Sequence, residues 1–136
     1  MNIPQSDILT THRLGKVFSN TVATYKYFWF VSIMQIHAKT DNPRIDVWDI
    51  IPKRHVASYF DLTNHEREAM NVVLQYVKQK VDERFHPDGY NIGINVNEAA
   101  GQSVFHCHMH LIPRYKGDVP NPKGGVRGVI PSKQKY

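Results

Sequence analysis

Cysteine is all but missing from this chain: Cys107 stands alone among 136 residues. A lone thiol excludes an internal disulfide and any CxxC metal clip, and it fits a reducing, cytoplasmic setting. Long apolar runs are missing as well. The longest, residues 27–36, is interrupted by Ser32 and Gln35, and at ~1.5 Å per residue a helix of that length falls far short of a bilayer. The opening MNIPQSDILTTHR has no apolar h-region, so neither a secretory leader nor a membrane partner is expected. No internal repeat and no low-complexity tract is present. The charge excess is modest, 17 Lys and Arg against 12 Asp and Glu for a net +5. The basic residues are spread along the chain and thicken only near the C-terminus. That favours small anionic ligands and argues against nucleic acid as the partner.

What is present suffices for one core. A 41% hydrophobic content in a chain of this length predicts a single domain over residues 1–136. Residues 1–24 are polar and weakly patterned. Residues 25–36 are aromatic-rich and apolar on all sides, and fit a strand and a helix equally. Asp41-Asn42-Pro43-Arg44 reads as a turn, and residues 45–51 as a strand stopped by Pro52. Thr63 and Glu66 form a capping box, and Met70, Val73, Val77 and Val81 recur at helical spacing, so a helix runs to Phe85 and breaks at His86-Pro87-Asp88-Gly89. Two strands follow. In residues 90–95, Tyr90, Ile92 and Ile94 face the core while Asn91, Gly93 and Asn95 face away. The second strand covers residues 103–112 and is closed by Pro113. The Gly- and Pro-rich tail is irregular, with residues 125–130 able to pair briefly.

The eight histidines are the compositional oddity, and three of them fall within His106-Cys107-His108-Met109-His110. In a strand, alternate side chains share a face. The three imidazoles would then project together, with Cα atoms about 6–7 Å apart, while Phe105, Cys107, Met109 and Leu111 face the core. A polar row of this kind does not help folding, because each ring must find a partner if buried. Three roles suit it. Imidazole can attack phosphorus, act as a proton or hydrogen-bond donor to phosphate oxygens, or ligate a metal. His37, His55, His65 and His86 are available as further ligands, none at diagnostic spacing. Cys107 reads as a small core residue.

Residues 95–115, NVNEAAGQSVFHCHMHLIPRY, resemble the signature of the histidine triad (HIT) family of nucleotide hydrolases and transferases, His-φ-His-φ-His-φ-φ with φ apolar. Gly101-Gln102-Ser103 is similar to the family's segment before the triad, and Ile51-Pro52-Lys53-Arg54-His55 to its IPK-x-H segment. The resemblance covers residues 50–136. It implies that His108 attacks the α-phosphorus of a nucleotide conjugate, such as a dinucleoside polyphosphate or a nucleoside phosphoramidate, forming a nucleotidyl-histidine that water resolves. His110 would bond a phosphate oxygen and His106 would hold the array. Asn95, Gln102 and Ser103 would serve the substrate, Gln102 by shaping the loop. No resident cofactor is implied beyond a divalent cation arriving with the substrate, and a homodimer is implied by analogy.

Before residue 50 the pattern departs. The family's buttressing histidine, five residues before the proline, is Val47 here, and residues 1–49 form an atypical segment that resembles the opening of a bacterial HNH-type nuclease family. The expected fold class is α+β, an antiparallel sheet with one main helix packed on it. Two further functions stay open: a nucleotide-binding module with weakened catalysis, and a metal-binding histidine cluster.

Overall fold

The capping signals at Thr63 and Glu66 set the largest element. In the computed structural model, which describes Tyr27, residues 29–36 and residues 46–135, helix α1 spans Asn64–Phe85. The Glu66 backbone N–H donates to the Thr63 hydroxyl at 3.2 Å, and the Thr63 N–H donates to the Glu66 carboxylate at 2.8 Å. Two otherwise unpaired donors of the first turn are thereby satisfied. At the far end, His86 adopts the left-handed conformation with φ 49°, which terminates the helix.

Glu66 has a second task. Arg54 grips its carboxylate with two bonds of 2.8 Å each. That guanidinium, opposed by burial and assisted by Thr63, holds the Glu66 carboxyl at about 2. A depressed carboxyl stabilises the fold above its unfolded value and loses that contribution as pH falls through the folded one. Glu66→Ala is expected to cost about 2 kcal/mol at pH 7 by removing cap and ion pair together. The deficit should shrink as pH falls toward 2, which melting curves followed by circular dichroism would show.

Four strands complete the fold: β1 Val31–Ile36, β2 Val47–Pro52, β3 Gly89–Gly93 and β4 Met109–Arg114. They form one antiparallel sheet in the order β1-β2-β4-β3. α1 packs against β1, β2 and β4. Its buried stripe of Ala69, Met70, Val73, Val77, Val81 and Phe85 joins Val31, Ile33, Trp48, Ile50, Met109 and Leu111 in one core. The architecture is α+β, a sheet with one main helix. Among the described residues, no helix is long and apolar enough to cross a membrane.

Several boundaries differ from the sequence expectation. The ambiguous aromatic stretch becomes a turn at Trp29 and Phe30 followed by β1. The decisive factor is tertiary: β1 pairs with β2 along its whole length, from Val31 opposite Pro52 to Ile36 opposite Val47. β3 stops at Gly93, leaving Asn95 beyond its end. Ile92 is 48% exposed and not in the core, because β3 is the outer strand of the sheet. β4 runs through Pro113, which pairs only with Tyr90 of β3. β2 no longer reaches that far, so the missing proline N–H breaks no ladder. Residues 125–129 form a short 3-10 turn against β3 instead of a strand. The expected turn at Asp41–Arg44 and the polar residues 1–24 lie outside the described residues.

Candidate active site

His110 lies in β4, whereas His106 and His108 precede it in irregular backbone. A single strand carrying all three imidazoles is therefore corrected. β2 offers ladder partners only from Ile50 opposite Met109 to Trp48 opposite Leu111. Upstream of them the chain is tied by a bond from the Cys107 N–H to the Val56 carbonyl at 2.7 Å. The in-and-out alternation outlasts the ladder. Cys107, Met109 and Leu111 are buried while the three histidines are half-buried. Phe105 is the exception, 53% exposed and outside the core.

Each imidazole has a defined partner. His108 Nδ1 lies 2.7 Å from the His106 carbonyl oxygen. A carbonyl only accepts, so Nδ1 carries the proton and the neutral ring keeps its lone pair on Nε2. His106 Nε2 donates in the same way to the Pro52 carbonyl at 2.7 Å, and its ring centroid is 5.0 Å from that of His55. The His108 and His110 rings meet edge to face with centroids 4.9 Å apart. His110 Nδ1 donates to Asp49 Oδ1 at 2.6 Å. That bond raises the His110 pKa, against the effect of burial and with further help from the aspartate charge.

Asp49 is the residue that sequence reasoning missed. It is 2% exposed and stands in β2 directly opposite His110. A signal was available: an acid in the middle of Val47-Trp48-Asp49-Ile50-Ile51 is out of place in a buried strand unless something pairs with it.

The loop before the triad is organised by Gln102, which is 3% exposed. Its Oε1 accepts from the Asn97 N–H at 2.8 Å, and its Nε2 donates to the Ala57 and Val104 carbonyls at 2.8 and 3.2 Å. The side chain is committed to backbone on both sides, so any service to a substrate runs through the shape of the loop. Gly101 enables the approach: its φ of +87° suits glycine and strains other residues. Ser103 is exposed and Asn95 half-buried. His65 and His86 are exposed at opposite ends of α1, and His37 lies outside the described residues.

Asp49, His108 and His110 also form a group whose donor atoms lie within 4.8 Å of one another, close enough for a metal ion to reach. Asp49 and His110 already satisfy each other, and His108 Nδ1 is taken by a carbonyl. Neither of these bonds uses a histidine Nε2.

The family model described as HIT domain matches residues 35–117. The chain belongs to the HIT family. The matched segment begins upstream of residue 50 and takes in the end of β1 and all of β2. Among HIT relatives, Protein hit of Bacillus subtilis (strain 168) is 40% identical over 70 residues, 51% of this chain and 48% of that protein. The bis(5'-adenosyl)-triphosphatase of Dictyostelium discoideum is 39% identical over 72 residues, 53% and 48% of the two chains. This chain thus spans about half the length of the curated relatives it matches. The crystal structure of the C. elegans NitFhit protein superposes with a TM-score of 0.57 at 26% identity, over 68% of this chain and 22% of that one.

Proposed function

We propose that this HIT protein hydrolyses or transfers a nucleotidyl group at the α-phosphate of a nucleotide conjugate, either a dinucleoside polyphosphate such as diadenosine tetraphosphate or a nucleoside phosphoramidate. The observation that carries the reading is the bond between His108 Nδ1 and the His106 carbonyl, because it leaves the Nε2 lone pair for attack. In the first step Nε2 bonds to the α-phosphorus and the bond to the leaving group breaks, its electron pair departing with that group. In the second, water attacks phosphorus, the P–N bond breaks and a nucleoside monophosphate leaves. His110 donates to a phosphate oxygen, and His106 fixes the backbone carbonyl that orients His108. Asn95 and Ser103 contact the phosphates, Ser103 near the leaving group, while Gln102 keeps the loop in shape. Imidazole carries the chemistry, and any divalent cation arrives with the substrate.

The rest of the proposal concerns assembly and setting. A homodimer is supported by β3 at the sheet edge with Ile92 half exposed, and the lone cysteine supports the cytoplasm. A second reading, binding with weakened turnover, draws on Val47 in the family's histidine position. Incubation of the full chain with diadenosine tetraphosphate and with an adenosine phosphoramidate separates the two. Release of AMP supports the enzyme, and tight binding without release supports the second reading.

A further inference from the structure

We propose that Asp49 is a positioning residue for this site, holding His110 by Nδ1 so that Nε2 is the atom offered to the substrate's phosphate. The inference deepens the function proposed above and rests on it for the identity of the substrate, but not for the state of the histidine. Three observations carry it. The carboxylate is 2% exposed, so it is shielded from water. Its Oδ1 is 2.6 Å from His110 Nδ1. The two residues are direct partners across β2 and β4, so the backbone ladder fixes the pairing and chance rotamers do not.

A buried carboxylate facing an imidazole has two consequences. It selects the tautomer with hydrogen on Nδ1, and it favours the ring in its doubly protonated form. The upward push on His110 agrees with the geometry. Nε2 then bears a proton and is a charged donor, suited to an anionic oxygen. The neighbouring ring is held differently. His108 is bonded to a neutral carbonyl, while His110 is bonded to an anion. The edge-to-face pair therefore divides the work: one ring offers a lone pair to phosphorus, the other a proton to its oxygen. Among the described residues, the groups facing His110 are Asp49 from β2 and His108 from the segment before β4; from β3 the facing residue is Gly93, which cannot titrate. With Val47 where a family-type buttress would stand, the support of the last triad histidine passes to Asp49, two residues along the same strand.

The test uses this 136-residue chain and Asp49→Asn, which keeps shape and an acceptor oxygen but removes the charge. Long-range proton–nitrogen NMR correlations of the ligand-free proteins read the His110 tautomer and titration, assigned with His110→Gln. The wild type should show hydrogen on Nδ1 and titrate above an ordinary histidine, and Asp49→Asn should lower that midpoint. With diadenosine tetraphosphate, kcat should fall about 10- to 100-fold in Asp49→Asn, with KM changed much less and the alkaline limb of the pH profile moved to lower pH. An unchanged His110 midpoint in Asp49→Asn overturns the assignment whatever the activity. Should that variant not fold, a wild-type midpoint at or below the ordinary value overturns it equally. A wild type that binds but does not turn over substrate contradicts the proposed function alone, since the NMR signals still decide the role of Asp49.

Discussion

His108→Asn is expected to reduce turnover of a dinucleoside polyphosphate by about 10⁴-fold or more, the scale on which loss of a covalent nucleophile registers. The effect should be this large because, among the described residues, the other two triad rings are engaged in bonds of their own. His106 Nε2 is occupied by the Pro52 carbonyl, and His110 is paired with Asp49. The asparagine variant should still fold, because His108 is half-buried outside the ladder and its ring is not part of the hydrophobic core. It should also still bind nucleotide. Melting curves and equilibrium binding, run beside the rate assay, would separate lost chemistry from lost structure. A variant retaining more than about a hundredth of the wild-type rate would mean that another group attacks phosphorus.

Gln102→Ala is expected to be costly in both stability and rate. The substitution strands two carbonyls and one N–H that the buried amide now satisfies, and such losses run to about 2–3 kcal/mol together. For a domain of this size that corresponds to a melting temperature lower by roughly 8–12 °C. The rate should fall about 100-fold as well, because Gln102 ties the loop carrying Ser103 to Ala57, and a displacement of ~1 Å in an active site has that effect. Differential scanning calorimetry and the same hydrolysis assay would check the two halves. A stable variant with normal turnover would show that the loop keeps its form without the amide.

How legible this molecule is in its sequence depends on whether the signal is local. α1 is fully legible, since both reciprocal bonds of its capping box and its apolar stripe are written within one segment. So is the stop of β2 at Pro52. The stretch before residue 37 is not, because apolar residues on all sides satisfy both periods, and only pairing with β2 decides. The start of β4 is misplaced for a related reason. Alternation of imidazole and apolar residues marks extended backbone, but whether that backbone belongs to a ladder depends on how far the neighbouring strand reaches. Of the site, the three histidines and Gln102 are visible as a motif, although the committed side chain of Gln102 is not. Asp49 is 61 residues from His110, and no local rule joins them; its oddity in an apolar strand is the one trace it leaves.

The most direct measurement is capture of the reaction intermediate. Wild-type chain would be mixed with diadenosine tetraphosphate labelled at the α-phosphate, quenched in base during the first turnovers, digested and mapped by mass spectrometry. An adenylyl group on His108, absent from His108→Asn, is the result expected. Labelled AMP released by a chain that never carries the group, or the group found on another residue, would contradict it.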